Sequence, residues 1–276
     1  AAIETTHQVG ARTNYLFLKS MPREDYDKLF QEICSTAPNE ERCVADVRTN
    51  TTSSISLYGF YIFFRYAAVA LRIRAGSALD WLFLFTRALR TLEAYTKVRK
   101  LKFDHLVVFA DMQMLDNLMV QISNRANTPT TTMQHGLYID YSKNFNVNIT
   151  NYKNHISRNF LAWGQETAEL IKRHHPNSNT VICGRPIGLP PQNSTSNANY
   201  ITLICDQNMF FAYNLELLQI GYEFARTKGL MLNLRMHPNN RLEWFRVDES
   251  LTLVNEDLMS SALVIGHTST LLYECL

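Results

Sequence analysis

The sequence predicts an α/β protein built on two doubly wound parallel sheets, and three observations predict it. From residue 101 onward, short apolar runs alternate with amphipathic helical stretches in β-then-α order. Short continuous apolar strands between helices belong to parallel sheets covered on both faces. Residues 187–198 (IGLPPQNSTSNA) are rich in Pro, Ser and Asn, lack apolar periodicity, and separate one series of alternation from the next. At 276 residues, of which 46% are apolar, the chain is long enough for one large domain or two modest ones, with a real core. The expected domains are 1–190, with extra helices, and 199–276.

Residues 1–54 are mixed and polar, with one helix expected over 23–35, where Tyr26, Leu29, Phe30 and Ile33 share a face. The most apolar zone follows, at 55–75 and 79–98. Each stretch approaches spanning length, but Arg65, Arg72 and Arg74 interrupt the first, and Arg87, Arg90 and Glu93 the second. A spanning helix wants about 20 residues nearly free of charge, so two core helices are expected. The alternative is a basic, aromatic face lying on a membrane surface. Strands are then expected at 105–110, 130–133, 159–163 and 180–183. Helices run from Asp111 to about Arg125 and over 166–174. After the linker come a strand at 200–205 and a helix over 214–228 closed by Gly229. Strands at 230–236, 251–254 and 262–265 follow, the last leading into 266–270 and a helix.

Composition excludes several classes. The apolar content rules out a disordered chain. With 27 Lys+Arg against 25 Asp+Glu, the net charge of +2 lacks the basic field of a dedicated nucleic-acid binder. Five scattered cysteines without a C-x-x-C pair indicate neither a disulfide framework nor a zinc knuckle, and a reducing, cytoplasmic setting is the simplest reading. No signal peptide is visible, and the three N-x-S/T sequons are chance products of an Asn- and Thr-rich chain.

In open parallel sheets, ligands bind outside the carboxyl ends of strands, and four polar clusters fall there. Gln134-His135-Gly136 follows the strand TTTM. His135 has a suitable pKa for a general base, although a polar loop histidine explains the position equally well. Arg235-Met236-His237-Pro238 ends the strand LMLNLRM and offers two groups for a phosphate. Gly266-His267-Thr268-Ser269-Thr270 opens a helix, where hydroxyls and free N–H groups suit an anion or a plain N-cap. Glu274, one turn past Thr270, can accept hydrogen bonds from a ribose. Cys183-Gly184-Arg185-Pro186 places Arg185 within reach of a phosphate, or forms a simple turn. His174-His175 reads as a solvated helix end. Asp104, Asp111 and Asp116 lack metal-ligand spacing, and no G-x-G-x-x-G, P-loop or G-x-S-x-G elbow occurs.

These clusters, in this order, resemble the GT-B class of nucleotide-sugar glycosyltransferases. The likeness is to bacterial surface-polysaccharide enzymes of the capsule, polysialyltransferase and CDP-glycerol glycerophosphotransferase type. The segments that carry it are TTTMQHG (130–136), FLAWG (160–164), VICGRP (181–186), LRMHP (234–238) and SSALVIGHTSTLLYE (260–274). The resemblance spans about residue 101 to the end. It implies two Rossmann-like domains facing a cleft, with the acceptor on the first and the nucleotide donor on the second. His135 would then be the catalytic base or an acceptor-site residue, with Gln134 and Gly136 on the acceptor side. Arg235, His237, Pro238, Thr268, Ser269, Thr270, Glu274, Gly184 and Arg185 would hold the donor. The class uses no metal for its chemistry and no cofactor beyond the donor itself, here of CMP, CDP or UDP type. The implied partners are a nucleotide-activated sugar and a glycan or lipid-linked acceptor, with peripheral contact to the inner membrane leaflet and no nucleic acid. Enzymes of this class continue past the T-S-T helix with further βα units, so residues 199–276 are expected to form a short or truncated second domain. Two other functions fit the same scaffold: a sugar-nucleotide epimerase or hydrolase, and a non-catalytic nucleotide-sugar or glycan-binding module.

Overall fold

The structure, a computed structural model, describes residues 2–5, 12–21, 25–48, 61, 64, 76–140, 149–186, 199–237, 240, 241, 243, 245, 253–254, 261–267 and 272. The chain divides into two units, Ala1–Ile187 and Gly188–Leu276.

The first unit holds strands β1 (Ala2–Thr5), β2 (Arg12–Lys19) and β3 (Arg42–Arg48), with helix α1 (Asp25–Ser35) between β2 and β3. Helix α2 (Ala78–Val98), β4 (Lys102–Val108), α3 (Met114–Arg125) and β5 (Thr130–Met133) follow. The unit closes with α4 (Ile149–Lys153), β6 (Asn159–Ala162), α5 (Gln165–His174) and β7 (Asn179–Ile182). The sheet order is β1-β3-β2-β4-β5-β6-β7, and all neighbours are parallel except β1 with β3. Helices cover both faces. Leu16, Leu18, Ala45, Val47, Leu106 and Val108 pack on one side against Ala94 and Val98 of α2 and Leu115, Met119 and Val120 of α3. Phe17, Val107, Phe109 and Met133 pack on the other against Leu29, Phe30 and Ile33 of α1. Each such aliphatic or aromatic side chain contributes about 1.5–3 kcal/mol by leaving water.

Residues 1–54, read from sequence as polar with a single helix, contain three strands, and β2 is central to the sheet. Its early residues alternate in exposure, then Leu16 through Lys19 are all buried. The apolar run is broken by Lys19, which stays buried because it pairs with Asp27 and lies over the Phe30 ring. Strand β5 shows the same principle. Its three threonines are buried, and their hydroxyls meet Asn124 Oδ1 (2.8 Å), His105 Nε2 (2.8 Å) and the Asp111 N–H (3.3 Å).

Helix α2 matches the expected 79–98 helix, but only its second half is core, through Leu89, Ala94 and Val98. Its first turns expose Leu79, Leu82, Phe83 and Leu84. The other apolar stretch, 55–75, lies outside the described residues except for Tyr61 and Phe64, both exposed. No helix among the described residues is long and apolar enough to cross a membrane. The expectation of a solvated His174-His175 is corrected. The His175 Nε2 meets the Tyr152 carbonyl at 2.9 Å, and the His174 ring packs 5.3 Å from that of Tyr152.

The second unit contains β8 (Tyr200–Ile204), α6 (Phe211–Lys228), β9 (Met231–Arg235), β10 (Leu253–Val254) and β11 (Leu263–Gly266). These strands form a parallel sheet of order β10-β9-β8-β11. Strand β8 is buried throughout, and Gly221 lets α6 approach it closely: a Cβ there would stand 2.5 Å from Leu203 Cδ1. Gly229 ends α6 at φ +64°, as its expected cap role requires. Cys34, Cys43, Cys183 and Cys205 form no disulfide among the described residues.

Candidate active site

In the first unit, the chain passes from β2 to β3 on one side and places β4 through β7 on the other. The strand order therefore reverses between β2 and β4, which is where an open α/β sheet presents its ligand crevice. Lys19 ends β2 and Ser20 follows it, and Phe109, Ala110 and Asp111 follow β4. Gln134-His135-Gly136 leaves the next strand, β5.

His135 is 5% exposed and sits among three rings: Phe109 (5.4 Å), Tyr26 (5.6 Å) and Tyr138 (5.6 Å). Its Nδ1 lies 3.0 Å from the Tyr138 hydroxyl and 3.4 Å from the Met133 carbonyl. A carbonyl only accepts, so both contacts are satisfied together when Nδ1 carries the proton. Nε2 then holds the lone pair that a base needs. Burial, with the Asp111 charge and Tyr26 adding to it, pushes the Tyr138 hydroxyl well above its ordinary pKa, so it remains protonated. Gln134 holds the turn in place. Its Oε1 accepts from the Trp163 N–H (2.8 Å), and its Nε2 donates to the Gly136 carbonyl (2.9 Å).

Two aspartates near the switch point have opposite environments. Asp111 Oδ2 takes four contacts of 2.9 Å, from His155 Nδ1, the N–H groups of Ile156 and Ser157, and the Ser157 hydroxyl. Oδ1 takes no hydrogen bond among the described residues. Burial raises this carboxyl, but the bond and charge of His155 and the two backbone donors outweigh it, holding Asp111 below the usual carboxylate range. His155 also reaches the Ser178 hydroxyl at 2.8 Å, which ties the turns before β6 and β7 together. Asp116, in the first turn of α3, is fully buried and has less support. Its Oδ2 accepts from the Ala110 N–H (3.3 Å), while Oδ1 has no hydrogen-bond partner among the described residues. Burial raises its carboxyl to about 7, against hydrogen bonds from Ser20 and Ala110. Sequence reasoning tested these acids only as metal ligands and passed over them. An acid closing an apolar strand at a reversal of strand order was the available signal.

At the end of β7, Gly184 adopts φ +76°, and the Arg185 guanidinium lies 5.7 Å from the Trp163 ring. In the second unit the reversal falls between β8 and β11. Arg235 ends β9, its side chain is exposed, and its guanidinium has no partner among the described residues. The His237 carbonyl accepts from the Asn240 N–H (2.8 Å). Gly266 and His267 follow β11, and the His267 Nε2 meets Asn214 Oδ1 at 3.0 Å. Pro238, Thr268, Ser269, Thr270 and Glu274 lie outside the described residues. Among the described residues, no three His, Cys, Asp or Glu side chains converge as a metal site.

Strand order and helix coverage define a mixed α/β protein with two Rossmann-like units. No family model and no curated protein sequence matches the chain. Three solved structures are similar to it at low identity. A UDP-N-acetylglucosamine 2-epimerase from Rickettsia bellii is 14% identical, with 82% of this chain and 62% of that one covered and a TM-score of 0.45. The glycosyltransferase SnogD from Streptomyces nogalater is 11% identical over 95% and 78%, at 0.46. A ugt transferase from Siraitia grosvenorii, in complex with UDP, is 8% identical over 92% and 73%, at 0.40. The chain thus spans 62% of the length of the epimerase. Likeness at this level assigns no residue a role.

Proposed function

We propose that the chain belongs to a glycosyltransferase of cell-surface polysaccharide synthesis. It would move a sugar, or a related group, from a nucleotide-activated donor to a glycan or lipid-linked acceptor without a metal. The observation that carries this reading is the setting of His135: a histidine at the carboxyl end of β5, beside the switch point, with Nδ1 committed to Met133 and Tyr138. In the proposed step His135 takes the proton of an acceptor hydroxyl. The oxygen bonds to the anomeric carbon (or to phosphorus, for a glycerophosphate donor) as the bond to the nucleotide breaks. The leaving phosphate carries away the negative charge. Arg235 and His237, with Thr268, Ser269 and Thr270, are assigned to that charge, Glu274 to the ribose, and Gly184 and Arg185 to the donor's edge. Gln134 and Gly136 shape the acceptor side by holding the His135 turn.

The exposed apolar turns of α2, with Arg87 lying 5.0 Å from the Phe83 ring, support peripheral contact with an anionic leaflet. The test is product analysis with CMP-, CDP- and UDP-activated donors, with and without an oligosaccharide acceptor. Transfer only in the presence of acceptor is expected. Conversion of the donor alone would instead establish an epimerase or hydrolase, and binding without turnover a non-catalytic module.

A further inference from the structure

At the opposite edge of the first sheet, β2 and β4 begin side by side, with Arg12 level with Lys102. Their first residues, the end of α2 and the last turns of α3 enclose a cavity of about 370 Å³. Tyr95 of α2, Phe103 of β4, and Met119 and Ile122 of α3 give it an apolar lining. Three exposed cations, Arg12, Arg99 and Lys102, line it as well. A cleft of about 300–1,000 Å³, mostly apolar with a few polar groups, is the usual form of a small-molecule site.

The polar groups of this cavity are only partly answered. Arg12 has an acid, its Nε donating to Asp104 Oδ1 at 2.9 Å. The Arg99 guanidinium and the Lys102 ammonium have no hydrogen-bond or ion-pair partner among the described residues. A basic residue just past a helix end answers the helix dipole, an effect confined to the last turn. With α2 ending at Val98, that accounts for Arg99 but not for Lys102, the first residue of β4. Nor does it account for Ser123 of α3. Ser123 is 4% exposed and lines the same cavity, and its hydroxyl makes no hydrogen bond among the described residues. A buried hydroxyl ordinarily has a partner. The cavity thus sets two open cations and one open hydroxyl around apolar surface.

We propose that this cavity is a second ligand site, for a small amphipathic anion: a phosphate monoester or carboxylate carried on an acyl chain. Arg99 and Lys102 take the charged head in charge-assisted hydrogen bonds, and the Ser123 hydroxyl supplies one more donor. The chain lies along Tyr95, Phe103, Met119 and Ile122. The site stands at the amino ends of strands whose carboxyl ends hold the candidate active site, so it does not rest on the proposed transfer reaction. The exposed apolar turns of α2 lie at the start of that 21-residue helix, about 30 Å from its end at the cavity. The ligand therefore arrives from free solution and not from a leaflet touching those turns.

The test is titration calorimetry of the 276-residue chain with monomeric octyl phosphate, against butyl phosphate, inorganic phosphate and octyltrimethylammonium. Octyl phosphate is expected to bind, and each methylene removed should weaken it roughly 2- to 4-fold. Arg99→Gln should weaken it roughly 10-fold. Ala126→Trp, which sets a large ring at an exposed position of the lining, should abolish binding. Both positions are exposed, so the urea midpoint should stay in place, and Arg99→Gln alone decides if Ala126→Trp shifts it. Octyltrimethylammonium binding as tightly as octyl phosphate overturns the anion requirement, and inorganic phosphate binding as tightly overturns the apolar one. Unchanged octyl phosphate affinity in Arg99→Gln, or no binding to the unsubstituted chain, overturns the site. Co-sedimentation with phosphatidylglycerol vesicles that Ala126→Trp abolishes overturns the free-solution source.

Discussion

The carboxyl edges of the two sheets are built alike and furnished differently. In the first unit the polar groups at the strand ends are dry: Asp111, Asp116, Gln134 and His135 are all buried, and most are held by donors or acceptors from neighbouring turns. In the second, Arg235 is exposed, with no partner for its guanidinium among the described residues, and Tyr213 stands out beside His267, which is bonded to buried Asn214. Buried, oriented groups suit proton transfer, because a low dielectric strengthens each interaction and fixes each tautomer. An exposed cation at a strand end suits capture of a charged ligand. The proposed function follows that difference, with chemistry placed in the first unit and donor binding in the second.

The largest effect on stability is expected where that buried network is broken. Asp111→Asn removes the charge that Oδ2 presents to four donors, and loss of one member of a buried pair costs about 3–5 kcal/mol. A urea midpoint that barely moves would mean the cluster is not the anchor of the first edge. Because Asp111 is held below its ordinary pKa, its support is present above the unfolded value near 3.8 and is lost as pH falls through the folded one.

Asp116 sharpens the contrast from the opposite side. Its carboxyl is raised to about 7, so it costs nothing at low pH, and the cost grows as pH rises from about 4 to 7. Asp116→Asn should therefore gain stability relative to the unsubstituted chain across that window, by up to about 4 kcal/mol. A difference between the two that does not change with pH would contradict the assignment. The smallest effect is expected in the second unit. Gly221→Ala drives a methyl into fully buried Leu203 and should cost roughly 1–3 kcal/mol by thermal or chemical denaturation.

Legibility from sequence followed the same divide. The strands from 105 onward were visible because their apolar runs stop abruptly at polar turns, and TTTM was read with its bounds correct. Strands β2 and β3 were not, because Lys19, Arg42, Asp46 and Arg48 interrupt the apolar pattern, and only the pairing of Lys19 with Asp27 reconciles the first of these with burial. His135 was found by its place at a strand end. Tyr138, which shares its Nδ1 contact, and Asp111, anchored from 44 to 46 residues further along the chain, emerge only when distant turns come together.

The most direct test of this division of labour compares His135→Ala with Arg235→Ala, measuring nucleotide affinity by calorimetry and transfer by product formation in the same preparations. His135→Ala is predicted to bind nucleotide as the unsubstituted chain does while transfer falls roughly 100- to 10,000-fold. Arg235→Ala should lose roughly 10-fold or more in affinity, as expected for a charge-assisted contact. Normal turnover by His135→Ala, or undiminished affinity in Arg235→Ala, would contradict the account.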